Sequence, residues 1–125
     1  MIPARSILQL FAGLAFAAAL APAPAIARTN YDGNWSVLIM TKSGPCDAGY
    51  RYGLAIRNGT VFYEGSAPVN VNGRVSGNGS VRVRVWAGSQ SANGTGRLSR
   101  NDGSGQWRGT GSSGTCSGTW TAERR

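Results

Sequence analysis

Residues 81–86 have the sequence Val81-Arg82-Val83-Arg84-Val85-Trp86, which is the clearest strand pattern in the chain. Its valines alternate with arginine, arginine and tryptophan, which is the period of a β-strand with one buried and one exposed face. We expect the three valines to point into the protein. Arg82, Arg84 and Trp86 then share the outward face.

Residues 50–57 repeat this alternation, with two tyrosines, a leucine and an isoleucine on one face and Arg51 and Arg57 on the other. Asn58-Gly59 follows directly and predicts a two-residue hairpin, because both residues tolerate the positive φ of a type I′ turn. No helical periodicity occurs after residue 27, and Gly, Asn and Ser recur at intervals typical of turns. The sequence therefore predicts an all-β domain.

The pattern predicts eight strands with short links, at residues 34–41, 50–57, 60–64, 69–76, 80–86, 92–99, 105–110 and 116–123. Eight sequential antiparallel strands can close into an up-and-down barrel, which removes exposed sheet edges. In a closed barrel the first and last strands are neighbours. Cys46, just after the first strand, and Cys116, at the start of the last, then lie side by side. Another Asn-Gly pair, Asn72-Gly73, falls within an alternating stretch and is a candidate β-bulge.

Glycines reduce the side-chain volume in the C-terminal half, at positions 94, 96, 103, 105, 109, 111, 114 and 118. They are compatible with tight backbone packing or with room for a ligand. A small eight-stranded barrel can be filled by its own side chains or can hold one small molecule. We expect the filled interior.

The first 27 residues have the three parts of a secretory signal: Arg5, an apolar run at 7–20, and the small-residue ending Ala25-Ile26-Ala27. The run is shorter than the roughly 20 residues of a membrane-spanning helix. We expect cleavage after Ala27. Residues 28–125 then form a single periplasmic or secreted domain, a monomer without stable membrane insertion.

Two cysteines in an exported chain are expected to be oxidised to one disulfide, Cys46–Cys116. It would close a loop of about 70 residues, which stabilises the fold by roughly 4 kcal/mol in the chain-entropy description.

The mature chain carries twelve basic residues against five acidic ones, a net charge of +7. A basic surface suits anionic partners such as nucleic acid, acidic polysaccharide or lipopolysaccharide headgroups. The alternative is an ordinary charged exterior that keeps the protein in solution.

The residues that most catalysis needs are missing or scattered. The chain has no histidine, its only mature lysine is Lys42, and its five acidic residues form no close pair in the sequence. Triads, glycosidase-type carboxylate pairs and most metal sites therefore have no candidate residues. We expect no catalytic residue, no metal ligand and no cofactor.

Gly33-Asn34-Trp35 is similar to the Gly-x-Trp of lipocalin-like and avidin-like barrels, in which a tryptophan closes one end of the barrel. Gly105-Gln106-Trp107 and Gly118-Thr119-Trp120 repeat the spacing. Strands that each begin with an inward tryptophan explain all three more simply.

Three segments together resemble a group of small exported proteins from rhizobia-like alphaproteobacteria. The segments are Tyr31-Asp32-Gly33-Asn34-Trp35-Ser36-Val37, Cys46-Asp47-x-x-Tyr50-Arg51-Tyr52 and Cys116-Ser117-Gly118-x-Trp120-x-Ala122-Glu123-Arg124-Arg125. The resemblance spans nearly the whole mature chain. It implies an exported location and no particular activity.

The leading functional hypothesis is a non-catalytic binding module that engages an anionic or carbohydrate envelope ligand, such as an anionic polysaccharide, through a basic face. The candidate binding residues are Arg82, Arg84, Trp86, Arg51 and Arg57. Guanidinium groups pair with phosphate or sulfate, and an aromatic ring stacks on sugars. The alternative is a periplasmic inhibitor of a protease or lysozyme, a protein partner that it would block with an exposed loop. Ser43-Gly44-Pro45 and Gly111-Ser112-Ser113-Gly114 are the candidate loops.

Overall fold

A computed structural model of the protein describes residues 30–125. The predicted signal sequence, residues 1–27, lies outside the described residues. The strands are β1 (Gly33–Ser43), β2 (Gly49–Arg57), β3 (Thr60–Tyr63), β4 (Asn70–Val75), β5 (Ser80–Ala87), β6 (Gln90–Leu98), β7 (Asp102–Gly111) and β8 (Gly114–Arg124). No helix within residues 30–125 has the length and apolar character needed to cross a membrane.

The eight strands form one closed antiparallel barrel in chain order, which confirms the predicted fold class. β1 pairs with β8 from Trp35 opposite Arg124 to Ser43 opposite Ser117, with one register shift between Thr41 and Ser43. This pairing closes the barrel. It also brings together Cys46 and Cys116, which form the predicted disulfide.

The Asn-Gly pairs have two different structural roles. Asn58 and Gly59 have φ angles of 52° and 79° and form the predicted hairpin turn between β2 and β3. Gly73 instead lies inside β4 and pairs with Val83 in continuous register, so the candidate bulge at Asn72-Gly73 is wrong. Close approach explains this glycine, because a Cβ atom there would lie 2.7 Å from a Val83 methyl carbon.

β7 begins at Asp102, three residues earlier than the sequence predicts. Gly103 and Ser104 pair with Ala122 and Thr121 of β8. Backbone hydrogen bonding extends the strand here, and the small side chains give no apolar alternation from which this could be predicted.

The largest buried side chains lie toward the end of the barrel where β1 begins, which we call the closed end. Trp35 is only 1% exposed there. The buried residues that pack together are Trp35, Val37, Ile56, Val61, Val75, Val81, Leu98, Trp120 and Ala122. The opposite end, which contains the β1–β2 loop and the disulfide, we call the mouth.

We predict that opening the disulfide lowers the free energy of unfolding by about 4 kcal/mol, because the bond restricts a loop of 70 residues in the unfolded chain. Urea unfolding of the oxidised protein, the reduced protein and the Cys46→Ala/Cys116→Ala variant measures the loss. Equal midpoints for all three would contradict this role.

Candidate binding cavity

The barrel interior contains a cavity of about 360 Å³. The expectation of a filled interior is therefore wrong. The cavity begins at Trp35, near the closed end, and continues to Gln90, Thr110 and Gly111 at the mouth. None of its lining residues is Asp, Glu, Lys or Arg. A cavity of this size falls within the range that small-molecule sites occupy.

Trp35 and Arg124 close one end of the barrel. The Arg124 guanidinium lies over the Trp35 ring, 4.7 Å from its centroid. It donates hydrogen bonds to the backbone oxygens of Asp32, Asn30 and Arg100. The Asp32 carboxylate in turn accepts hydrogen bonds from the backbone N–H groups of the β2–β3 turn. One side chain of the last strand thus fixes the segment before β1 across the closed end.

Trp120 leaves the interior open because its ring lies along the barrel wall. Cβ atoms at Gly96 and Gly105 would lie 2.5 and 2.6 Å from ring atoms of Trp120, so only glycine fits beneath the indole. The indole N–H donates to the Thr95 carbonyl oxygen at 3.1 Å. The glycines on β6 and β7 therefore allow tight packing and leave space in the centre of the barrel.

The other two inward tryptophans also have hydrogen-bonded N–H groups. Trp35 donates to the Tyr31 carbonyl oxygen at 2.8 Å, and Trp107 donates to the Met40 carbonyl oxygen at 3.0 Å. Because buried indole N–H groups need a partner, these bonds leave only the apolar ring surfaces to face the cavity. The interior consequently favours apolar ligand atoms.

Small side chains line the mouth half of the cavity on β5 and β6. Val83, Val85, Ala92 and Gly94 are all half-buried lining residues. A Cβ atom at Gly94 would meet its nearest heavy atoms at 3.7 Å, an ordinary contact distance. A side chain therefore fits at Gly94, beside the Trp120 ring, whereas none fits at Gly96. The sequence pattern predicted that Val83 and Val85 point inward, and Gly94 was one of the glycines compatible with room for a ligand. Ala92 was not singled out, although small residues at consecutive inward positions of β6 were the available signal.

Tyrosines occupy the β2 and β3 side of the mouth. Tyr50 and Tyr52 stack with ring centroids 6.2 Å apart, and Tyr63 contacts Tyr52 edge-on at 6.1 Å. Burial, followed by the neighbouring Tyr50 and Tyr63, raises the pKa of Tyr52. Tyr52 lines the cavity, and its hydroxyl makes no hydrogen bond with another residue of the described segment 30–125. It is the phenol best placed to bind a polar group of a ligand.

The two loops considered for inhibition meet at the rim of the mouth. Cys46 of the β1–β2 loop is bonded to the buried Cys116 of β8. Gly44 packs against the Cys116 backbone, and the Pro45 ring lies 3.7 Å from the Cβ position of Gly114. The disulfide therefore holds both loops against the barrel wall.

The five predicted binding residues do not form one cluster. Arg82 and Arg84 are exposed, and the Arg84 guanidinium lies 4.9 Å from the centroid of the Trp86 ring. Trp86 itself is half-buried and also borders the cavity. Arg57 contacts the exposed Phe62 on the outer face. Arg51 lies apart and donates to the Ser36 hydroxyl at 2.8 Å.

The described residues bring no group of three or more potential metal ligands together. Both cysteines are in the disulfide. The carboxylates lie away from the cavity, since none of them lines it. The chemistry that the cavity offers is therefore apolar contact with a few uncharged hydrogen-bonding groups at the mouth.

Comparison of the chain with protein-family models, curated proteins and solved structures gives no match. Geometry and chemistry alone must identify the site.

We predict that Tyr52 ionises at higher pH than an exposed tyrosine, whose pKa is about 10, because burial disfavours the phenolate. The raised pKa contributes stability that is fully present below pH of about 10 and is lost as pH rises through the folded-state pKa. Absorbance titration at 295 nm of the wild type and the Tyr52→Phe variant measures it. If the variant lacks a titration step at low pH rather than the one at the highest pH, the raised pKa does not belong to Tyr52.

Proposed function

We propose that this chain is an exported, non-catalytic binding protein that holds a small, uncharged, mainly apolar molecule inside its barrel. The observation that carries the proposal is the cavity of about 360 Å³ without a charged lining residue. Apolar surface moves favourably from water into such a space, by about 25 cal/mol per Å² buried. An ionised group placed there would lose its hydration without gaining a partner.

The arrangement of the two ends supports binding from one direction. Trp35, Arg124 and the segment before β1 cover the closed end. The mouth is bordered by half-buried and exposed residues, including Tyr50, which is 37% exposed. A ligand would enter with its apolar part first. Its polar group would then lie beside Tyr52 or the uncharged side chain of Gln90.

The lining also supports the non-catalytic part of the proposal. It includes no carboxylate, amine or free thiol. With histidine, which the sequence lacks, these groups are the usual general acids and bases, so the lining offers its hydroxyl groups no general base. The disulfide favours an oxidising compartment, which agrees with export through the predicted signal sequence.

We predict that the Gly94→Leu variant binds a neutral apolar probe, N-phenyl-1-naphthylamine, at least about tenfold more weakly than the wild type, a loss of about 1.4 kcal/mol. The new side chain starts from a position with ordinary contacts and extends into the cavity. Probe fluorescence measures the dissociation constant.

Thr95→Leu is the matched control, because it places a leucine at the next position of β6, which faces outward. It should leave probe binding unchanged. Thermal unfolding of both variants checks the fold. Equal binding by the two variants would show that the probe binds outside the barrel.

A probe of similar size with an ionised group at its centre should bind the wild type much more weakly than the neutral probe. Equal affinity for the two probes would contradict the uncharged ligand class.

A further inference from the structure

The outer surface of β4 to β7 carries a second feature that the cavity does not use. Five arginines point outward there, and we call them the arginine face: Arg74, Arg82, Arg84, Arg97 and Arg108. All five are exposed. Strand pairing places Arg74 directly opposite Arg82. It also places Arg84 and Arg108 on either side of Asn93.

No carboxylate of residues 30–125 lies on β4, β5 or β6. The fourth strand, β7, carries one carboxylate, Asp102, at its closed-end start, where it lies opposite Glu123 of β8. Asp32, Asp47 and Glu64 lie outside the eight strands. Within the described residues, the single salt bridge joins Arg125 and Glu64, away from the arginine face. No arginine of the face forms a salt bridge with a carboxylate of the described residues.

The Arg74–Arg82 pair is informative because like charges directly opposite each other destabilise a sheet. An anion that bridges the two guanidinium groups would turn this repulsion into attraction, since guanidinium forks bind phosphate, sulfate and carboxylate groups well. A bound polyanion therefore explains a pairing that stability alone disfavours.

Amide and hydroxyl groups separate the arginines. One row across four strands reads Asn72, Arg84, Asn93 and Arg108. Because neighbouring strands lie about 4.8 Å apart, the backbones of Arg84 and Arg108 are roughly 10 Å apart. Amide side chains at the intervening positions can bind sugar hydroxyls while the arginines bind acidic groups. This alternation of arginine and amide side chains suits a polysaccharide ligand whose acidic groups are separated by neutral sugar surface.

We infer that the arginine face binds an acidic polysaccharide. Nucleic acid fits less well, because single strands bind through aromatic platforms on which bases stack. The one tryptophan on this surface, Trp86, is already covered by the Arg84 guanidinium. The Arg84–Trp86 contact instead holds the guanidinium in place for an anionic group. None of the five arginines lines the cavity, although the neighbouring Trp86 and Asn93 border it.

The test measures the binding of a heparin oligosaccharide to the oxidised protein as a function of salt. The Arg82→Glu/Arg84→Glu variant should bind at least about tenfold more weakly, and its slope of log affinity against log salt should fall by about 2. Lys42→Glu/Arg100→Glu is the matched control. It changes the net charge equally, at two exposed residues outside the arginine face. It should retain most of the affinity and the slope.

Equal losses of heparin affinity in the two variants would overturn the inference, because net charge alone would then explain binding.

Single-stranded DNA of the same number of charges is the second probe. Weaker binding of DNA than of heparin supports the polysaccharide assignment. Equal or tighter DNA binding that is lost in the Arg82→Glu/Arg84→Glu variant would overturn it in favour of nucleic acid. Circular dichroism confirms that both variants fold.

Discussion

The pairing of β1 with β8 is the constraint on which the rest of the structure depends. These two strands are the ends of the described sheet, and their hydrogen bonds convert an open meander into a barrel with no free edge. Arg124 contacts Trp35 at one end of the β1–β8 pairing, and Cys46 is bonded to Cys116 near the other end. Side chains thus fix the β1–β8 pairing at both ends. Without it, the interior would be one face of an open sheet.

Once the barrel is closed, the distribution of side-chain volume along its axis determines the shape of the interior. Trp35 and the aliphatic residues around it fill the closed end. Toward the mouth, the inward positions of β5 and β6 carry valine, alanine and glycine as far as Gln90 at the rim. Trp120 does not compensate, because it lies along glycines of the wall. The cavity therefore follows from where the large side chains are placed.

Much of this architecture could be predicted from local sequence chemistry. The alternation in residues 81–86 predicted the orientation of Arg82, Arg84 and the valines. Asn58-Gly59 predicted a turn, and the positions of Cys46 and Cys116 supported closure. Each of these signals is contained in a few neighbouring residues or in a spacing. The structure confirms the fold class and the disulfide.

The cavity and the role of Arg124 could not be predicted in this way. Whether Trp120 crosses the barrel or lies along its wall depends on Gly96 and Gly105, on two other strands. Arg124 has no local sequence signal for its role, because its contacts with Trp35 and Asp32 exist only after β8 pairs with β1. Asn72-Gly73 had a turn-like sequence, but packing against Val83 kept it within a strand.

The measurement that tests the binding account most directly is the location of a bound neutral probe by nuclear Overhauser contacts in solution. If the probe binds inside the barrel, N-phenyl-1-naphthylamine should show contacts to the methyl groups of Val71, Val83 and Ala92, which line the cavity. Contacts confined to Leu38 and Phe62, which are not among the lining residues, would contradict it.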